Sequence, residues 1–271
     1  MVKIAQTGRI VLGVQDTAMP LSYLDASGAH VGYHLDVCLR LVAAIQQRFE
    51  LPKLKVITVP TSLTTRFALL DNRTIDIECG NNAINSSSMQ QALLTHATMV
   101  SEIRLMTVAA NKDWTIANLA GKSVGIEAGS PATPALRSLS RNSVPKIKET
   151  FGRMTGDTFA LLEAGRVDAV ALPTPSMLAQ RALSADPSHY VLIDGVLRTD
   201  PVALMFRLQD ESLQALANDV IDSMMRTGEM ARLYDKWFMR PIPGLTEPVG
   251  IPLPPMLRAL FDAPGSEMRG I

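Results

Sequence analysis

A chain of 271 residues with 47% hydrophobic side chains is long enough for two ordinary domains and too apolar to remain disordered. Lysine plus arginine equals aspartate plus glutamate at 26 each, so no charge imbalance points to nucleic acid or to an anionic membrane. No apolar run reaches the roughly 18–20 residues that span a bilayer, and the first ten residues hold no apolar export-signal core. A cytosolic chain and a mature exported one both fit that start.

In chain order, residues 8–14 read as an aliphatic strand that ends in the polar loop Gln15-Asp16-Thr17. Pro20-Leu21-Ser22-Tyr23 and a turn at 25–28 follow. Residues 32–36 lead into a helix with Val37, Leu41, Val42, Ala44 and Ile45 at helical spacing. Residues 55–59 alternate as a strand, and Pro60-Thr61-Ser62 hands over to a helix–turn–strand unit at 67–77. A strand at 76–80 is expected to run into a polar turn, Asn81-Asn82, then a Ser/Asn-rich loop at 85–88. Residues 104–110 read as an extended crossing. A second unit then brings a strand at 123–126, the loop Glu127-Ala128-Gly129-Ser130-Pro131, a helix–turn–strand at 159–169 and a turn at Pro173-Thr174. A helix from Met177, a strand at 190–193, a return crossing at 202–207 and a helix at 212–226 complete the core pattern. The proline-rich end, with one amphipathic run at 256–261, is expected to lie on the first lobe. Strands alternating with helices predict a mostly parallel sheet in an α/β fold.

The chain writes one stretch twice. Phe67-Ala68-Leu69-Leu70-Asp71-Asn72-Arg73-Thr74-Ile75-Asp76-Ile77 returns as Phe159-Ala160-Leu161-Leu162-Glu163-Ala164-Gly165-Arg166-Val167-Asp168-Ala169 at one constant offset. Gly8-Arg9 and Gly121-Lys122 echo each other more weakly. Duplication of this kind predicts two related lobes. In parallel sheets ligands bind beyond the carboxyl ends of the strands. The loops at 15–17, 81–82, 127–130 and 173–174 all fall at such ends, which predicts a cleft for a small anion.

Catalytic and phosphate-binding motifs are missing from the sequence, and the four histidines show no metal-ligand spacing. Arg66 is the strongest candidate site residue. It stands at a predicted first helical turn, where a cation opposes the dipole, and a guanidinium there suits a bidentate grip on a ligand carboxylate. Tyr23 either covers a ligand face or packs the lobe. Asp76 and Glu78 read equally as edge or turn carboxylates, and Glu127 as a partner for a ligand ammonium or as an ordinary loop residue. Cys38 and Cys79 are either two buried thiols or one disulfide, which spacing alone does not decide.

Several motifs, taken in order, resemble a known family. They are Pro20-Leu21-Ser22-Tyr23, Gly32-Tyr33-x-x-Asp36, Arg66-x-x-Leu69-Leu70, Asp76-Ile77-Glu78-Cys79-Gly80, Gly156-Asp157-Thr158-Phe159, Leu162-Glu163-x-Gly165-Arg166, and Asp235-Lys236-Trp237-Phe238-x-x-Pro241-Ile242-Pro243. The chain is similar to the periplasmic solute-binding proteins of polar amino-acid ABC importers (family 3), most closely the glutamate/aspartate-binding branch. The resemblance implies a two-lobe type II periplasmic-binding-protein fold, with residues 1–106 plus 205–271 in one lobe and 107–204 in the other. It also implies an exported monomer without cofactor that hands its ligand to a membrane permease. An enzyme on the same scaffold, dehydratase-like, and a ligand-sensing domain are the alternatives.

By the same resemblance Arg66 holds a ligand carboxylate, and Asn81 and Ser130 line the cleft. Gln15, Tyr23, Ser62, Gly129, Thr155 and Thr174 complete the expected contacts. Gln15 stands where the branch has an arginine for a side-chain carboxylate, and Pro173-Thr174 where it has an acid for the ammonium. Thr155 replaces a histidine and Leu63 a serine. A buried ammonium without an anionic partner is costly. The expected ligand is therefore an amino acid or an amine-lacking hydroxy, oxo or aromatic acid.

Overall fold

The computed structural model describes residues 2–141 and 145–264. A short helix α1 (Val2–Thr7) precedes strand β1 (Arg9–Val14). A small antiparallel sheet, β2 (Thr17–Ala18), β3 (Ser22–Leu24) and β4 (His30–Val31), leads into α2 (Tyr33–Arg48). Then come β5 (Lys55–Pro60), α3 (Arg66–Asp71), β6 (Ile77–Ala83), the single turn α4 (Ser86–Met89), β7 (Leu93–Leu94) and β8 (Met99–Val108). The second unit holds β9 (Ser123–Glu127), α5 (Ala132–Arg141), β10 (Lys148–Gly152), α6 (Thr155–Glu163), β11 (Ala169–Pro173) and α7 (Thr174–Leu183). Strand β12 (Tyr190–Phe206) returns, followed by α8 (Glu211–Arg226), α9 (Glu229–Phe238) and α10 (Pro255–Asp262).

The strands join in the order β10-β9-β11-β8-β12-β6-β1-β5, with β7 added on β12. The outer strands form parallel triads, β5-β1-β6 and β10-β9-β11. Between them β8 and β12 run antiparallel to each other and to their neighbours. The strand expected at 190–193 and the crossing expected at 202–207 are therefore parts of one 17-residue strand, bulged between Ile193 and Arg198.

Each half of this sheet carries its own core, and in the first half Leu70, Ile75, Ala92 and Met205 form a smaller cluster of their own. Side chains of β1, α2, α8, α9 and α10 pack in the first, including Ile10, Leu12, Val37, Leu41, Ile45, Leu257 and Phe261. The second unit packs both of its faces, Ile103, Leu105, Ala169 and Ala171 on one and Met106, Val170, Leu172 and Phe159 on the other. That alternation is the two-residue period of strands buried on both sides. Core membership changes between Met99 and Ile103 on β8, and between Ile193 and Val202 on β12. The division drawn from sequence, at 106/107 and 204/205, falls a few residues beyond both changes.

The duplicated stretch is a duplicated set of hydrogen bonds. Arg73 and Gly165 both take left-handed backbone, with φ of 64° and 63°, and their N–H groups donate to Leu70 and Leu162 carbonyls at 3.1 and 3.0 Å. An asparagine or glycine is the usual choice there. Asp76 then accepts the Val11 N–H at 2.9 Å, as Asp168 accepts the Ser123 N–H at 2.7 Å. Those partners put the Gly8-Arg9 and Gly121-Lys122 echo one residue out of register. Both aspartates clamp the first strand of their unit to the third.

Sequence misjudged three places, each for a local reason. Asn81-Asn82 continue strand β6 because β12 crosses beside them, pairing Ala203 with Asn82 and Val202 with Ala83. Residues 85–88 coil into α4 through a capping box between Asn85 and Ser88. The unforeseen β10 is an edge strand with only Gly152 fully buried, so it carries little apolar pattern.

Cys38 of α2 and Cys79 of β6 form a disulfide across 41 positions. Closing a loop of that length contributes about 3–4 kcal/mol by restricting the unfolded chain. Urea titration of the Cys38→Ser/Cys79→Ser double variant is expected to show a stability loss of about 3–4 kcal/mol.

Candidate functional site

The ends of β1, β6, β9 and β11 converge, and the polar residues gathered there are mostly out of water. Arg66, at the start of α3, is only 4% exposed. Its Nη1 donates to the Asn81 carbonyl at 3.1 Å and to Asn82 Oδ1 at 3.2 Å, its guanidinium lies over the Phe67 ring, and its Nε has no partner. Burial pulls its pKa down, while Glu78 and Glu127 pull it up.

Glu78 is fully buried on β6. Thr61 Oγ1 donates to its Oε2 at 3.0 Å, and the Gly80 backbone N–H also bonds the carboxylate. The carboxylate fits only because two neighbours lack side chains. A β-carbon on Gly13 would lie 2.3 Å from Oε2, and one on Gly80 2.5 Å from Oε1. Burial raises Glu78 to about 7, with Arg66, the Thr61 bond and the Gly80 N–H acting the other way.

Glu127 reaches in from β9 and is also buried. Thr155, at the start of α6, donates its hydroxyl to Glu127 Oε2 at 2.8 Å. Burial lifts Glu127 to about 7, opposed by the Thr155 bond and Arg66 and reinforced by Asp157. One carboxylate from each half of the molecule thus acts electrostatically on Arg66. Of the sequence readings, exposed edge or turn carboxylates for Asp76 and Glu78 and an ordinary loop acid for Glu127 do not hold, since all three are buried, and the other reading of Glu127, a partner for a ligand ammonium, is untouched by this. The signal that would have found Glu78 was an acid inside an otherwise apolar run that is buried on both faces.

Gln15 lies beside them. Its Oε1 accepts the Asn81 N–H at 3.1 Å, which turns its NH2 the other way, and that Nε2 is buried without a partner. Gly80 permits this approach too, for a β-carbon there would sit 2.6 Å from Gln15 Cδ.

The halves meet around this cluster. A β-carbon on Gly129 would lie 3.1 Å from the Leu63 carbonyl. Thr17 faces the Gly156 N–H and the Gln180 amide, each at 3.4 Å. A cavity of about 20 Å³ is lined by Leu63, Asn81, Ala83, Ser101, Ile103, Ser130, Pro131, Pro173, Asp200 and Val202. Asp200 there is ion-paired with Arg198 at 2.6 Å. A wider groove of about 580 Å³ runs outward past Arg66, Phe67, Ser130, Arg137 and Phe151.

Of the expected contacts, Gln15, Arg66, Asn81, Gly129, Ser130 and Thr155 come together at this junction. Ser130 caps the turn into α5, its Oγ accepting the Ala132 N–H at 3.1 Å. Three others do not join the cluster. Tyr23 is core, 1% exposed, edge-on to Trp237, with its hydroxyl donated to the Pro243 carbonyl at 2.8 Å. Ser62 shares its hydroxyl with Thr64 and Thr65 in the turn before α3. Thr174 donates to the Glu102 carbonyl at 3.0 Å, bracing β11 against β8. Thr61, which sequence reasoning left out of the site, and Asn82, which it placed in a strand-end loop without a role of its own, hold Glu78 and Arg66 in place.

No group of histidine, cysteine, aspartate and glutamate among the described residues is arranged to hold a metal ion, and no described helix is long and apolar enough to cross a membrane.

Comparison with known proteins agrees with this architecture. The chain is 29% identical over 265 residues to the glutamate/aspartate import solute-binding protein of Escherichia coli K12, covering 98% of this chain and 88% of that protein. It is 28% identical to the L-glutamate/L-aspartate-binding protein of Pseudomonas aeruginosa PAO1, covering 97% and 87%. Among solved structures, Tv2483 bound to L-arginine superposes with a TM-score of 0.77 at 20% identity, over 88% of this chain and 93% of that one. That likeness shows the two-lobe fold. The model of the bacterial extracellular solute-binding proteins, family 3, matches residues 10–240, and the chain belongs to that family.

Proposed function

We propose that this protein is the extracytoplasmic binding component of an ABC importer, a monomer that captures a small carboxylate-bearing solute by closing two lobes and delivers it to a membrane permease. The observation that supports this reading is Arg66, buried between the two cores with its Nε unpartnered and the loop at 129–130 beside it. A guanidinium in that setting is a receptor for a carboxylate. The lobes proposed are 1–106 with 205–271, and 107–204, pivoting on β8 and β12. The groove of about 580 Å³ past Arg66 is open on one side, so enclosing a solute against that guanidinium requires the lobes to move. Closure is then driven by the solute's preference for the closed form. Relatives named for amino-acid import, rather than for catalysis, favour a binding protein over an enzyme.

Glu78 and Glu127 change the expectation about the amino group. Pro173-Thr174 offers a ligand ammonium no anion, but two buried carboxylates flank Arg66 instead, so an amino acid is the reading favoured here. An amine-lacking acid remains as the second reading, because Leu63, Ala83 and Pro173 make one wall of the small cavity apolar.

The two readings have opposite pH signatures. An ammonium placed against a carboxylate that titrates near 7 displaces its proton, so affinity is expected to rise as pH goes from 5 to 8. An amine-free acid adds negative charge, favours the protonated carboxyls, and is expected to bind more weakly over the same range. Calorimetry at pH 5, 6.5 and 8 distinguishes them. Arg66→Lys keeps the charge beside Glu78 but loses the fork. It is expected to weaken binding about 10- to 100-fold while the ligand-free melting temperature stays within a few degrees, and a large loss of ligand-free stability would mark Arg66 as structural.

A folded-state pKa raised from 4.5 to about 7 means that Glu127 stabilises the fold below its unfolded pKa and loses that contribution as pH rises through 7. His34, lowered to about 4 chiefly by burial, acts oppositely as pH falls. The expectation is therefore a difference: Glu127→Gln melts higher than the parent at pH 8 and level with it at pH 5. Equal shifts at both pH values in differential scanning fluorimetry would contradict it.

A further inference from the structure

Beside the carboxylate anchor lies a polar pair that the anchor does not use. Ser101 of β8 and Asp200 of β12 stand directly opposite each other in the antiparallel ladder, so their side chains share one face of the sheet. Both are buried, Ser101 at 5% exposure and Asp200 at 3%. Ser101 Oγ has no hydrogen-bond partner, a costly state for a buried hydroxyl. Asp200 is paired with Arg198, whose Nε donates to its Oδ2 at 2.6 Å. The two residues line one cavity of about 20 Å³, whose other walls include the apolar side chains of Ile103, Pro173 and Val202. Such a space admits one water-sized group. It adjoins the anchor. Ser130 and Pro131 wall both this cavity and the groove past Arg66, and Asn81, a third wall, accepts from Arg66 Nη1 through its carbonyl at 3.1 Å. A substituent on the carbons nearest a bound carboxylate is therefore placed at this cavity.

Four chemistries can be placed against this pair. A second carboxylate is too large for the space and repels Asp200. An ammonium brings a second cation to an acid that Arg198 already neutralises, and it leaves the Ser101 hydrogen without an acceptor. A methyl fits but pairs with neither residue. A hydroxyl matches both, its oxygen accepting from Ser101 Oγ and its hydrogen donated to Asp200. A site built to hydrogen-bond an O–H rejects the analogue lacking it more sharply than an apolar pocket rejects a missing methylene.

With Arg66 as the carboxylate anchor, on which this rests, we infer that the solute carries a hydroxyl close to that carboxylate, read by Ser101 and Asp200 on the two strands that join the lobes. An amino acid and an amine-free acid can both present such a group. Charge is consistent with the choice, since a neutral hydroxyl leaves the Arg198–Asp200 pair balanced. The unpaired Ser101 hydroxyl is a cost carried by the ligand-free fold, and the solute relieves it.

Calorimetry on the full chain tests this with pairs that differ by one hydroxyl: L-serine against L-alanine, L-homoserine against L-2-aminobutyrate, L-lactate against propionate, and L-malate against succinate. In whichever pair binds, the hydroxy compound is expected to bind on the order of 100-fold more tightly than its deoxy partner. Ser101→Ala is expected to bring that pair within about tenfold. Without ligand it is expected to melt no lower than the parent, because it deletes a hydroxyl that has no partner. Asp200→Asn is expected to narrow the ratio too, since an amide oxygen accepts more weakly than a carboxylate. A deoxy compound that binds the parent as tightly as its hydroxy partner, a trapped water serving Ser101 instead, overturns the inference. So does a ratio that Ser101→Ala leaves unchanged, and so does a large drop in the ligand-free melting temperature of Ser101→Ala, which would make the hydroxyl structural. If the hydroxyl gives no advantage and Arg66→Lys still weakens binding, only the hydroxyl is lost. If Arg66→Lys leaves binding intact, or no member of any pair binds, the carboxylate anchor falls with it.

Discussion

A guanidinium withdrawn from water under the electrostatic influence of two buried carboxylates, one from each half of the molecule, is the constraint around which the protein is built. Arg66 alone in that position would carry a desolvation penalty of several kcal/mol. Glu78 and Glu127 offset it, and each is itself offset by Arg66 and by a threonine hydroxyl. The arrangement has one cation for two acids, which is why burial leaves both acids titrating near neutrality rather than near the usual carboxylate value. Such a cluster responds to whatever charge enters it, and a binding site requires that responsiveness.

Its precision comes from the strands beneath. Strand β6 alternates faces, so Ile77 and Cys79 enter the first core while Glu78 and Gly80 turn toward the cleft. The disulfide from Cys79 to Cys38 ties that alternation to α2, and a one-residue slip would carry Glu78 into the core. Gly13 and Gly80 clear the space on either side of the carboxylate. The glycines act as a mould for the site more than as flexible links, since alanine at either would collide with a carboxylate oxygen.

The two halves remain distinct because their cores do. The sheet is continuous, but its side chains pack mainly into separate clusters that change over along β8 and β12, with Ala179 of α7 joining the first. Hydrogen bonds across the junction include long ones, the 3.4 Å approaches of Thr17 to Gly156 and Gln180. Strong packing within each half and weak bonding between them is what a hinge-closing receptor needs, because a ligand can supply only its own differential affinity to the closing.

Much of this could be read from the residues in order. Repetition of the Phe67 and Phe159 stretches required two like units, and the structure repeats even their aspartate clamps at Asp76 and Asp168. Apolar spacing placed α2 and α8, and strand-end loops placed the junction at Gln15, Asn81 and Ser130. Arg66 stood out because a cation at a helix start needs a reason. These features are local, so sequence carries them. Tertiary contacts alone decided the rest. Whether Tyr23 covers a ligand or packs on Trp237, and whether Cys38 meets Cys79, depends on distances between segments far apart in the chain. Glu78 and Glu127 look like surface acids until the strands beside them remove the solvent. The polarity of a site is a property of what surrounds each group, and a linear chain does not state its own surroundings.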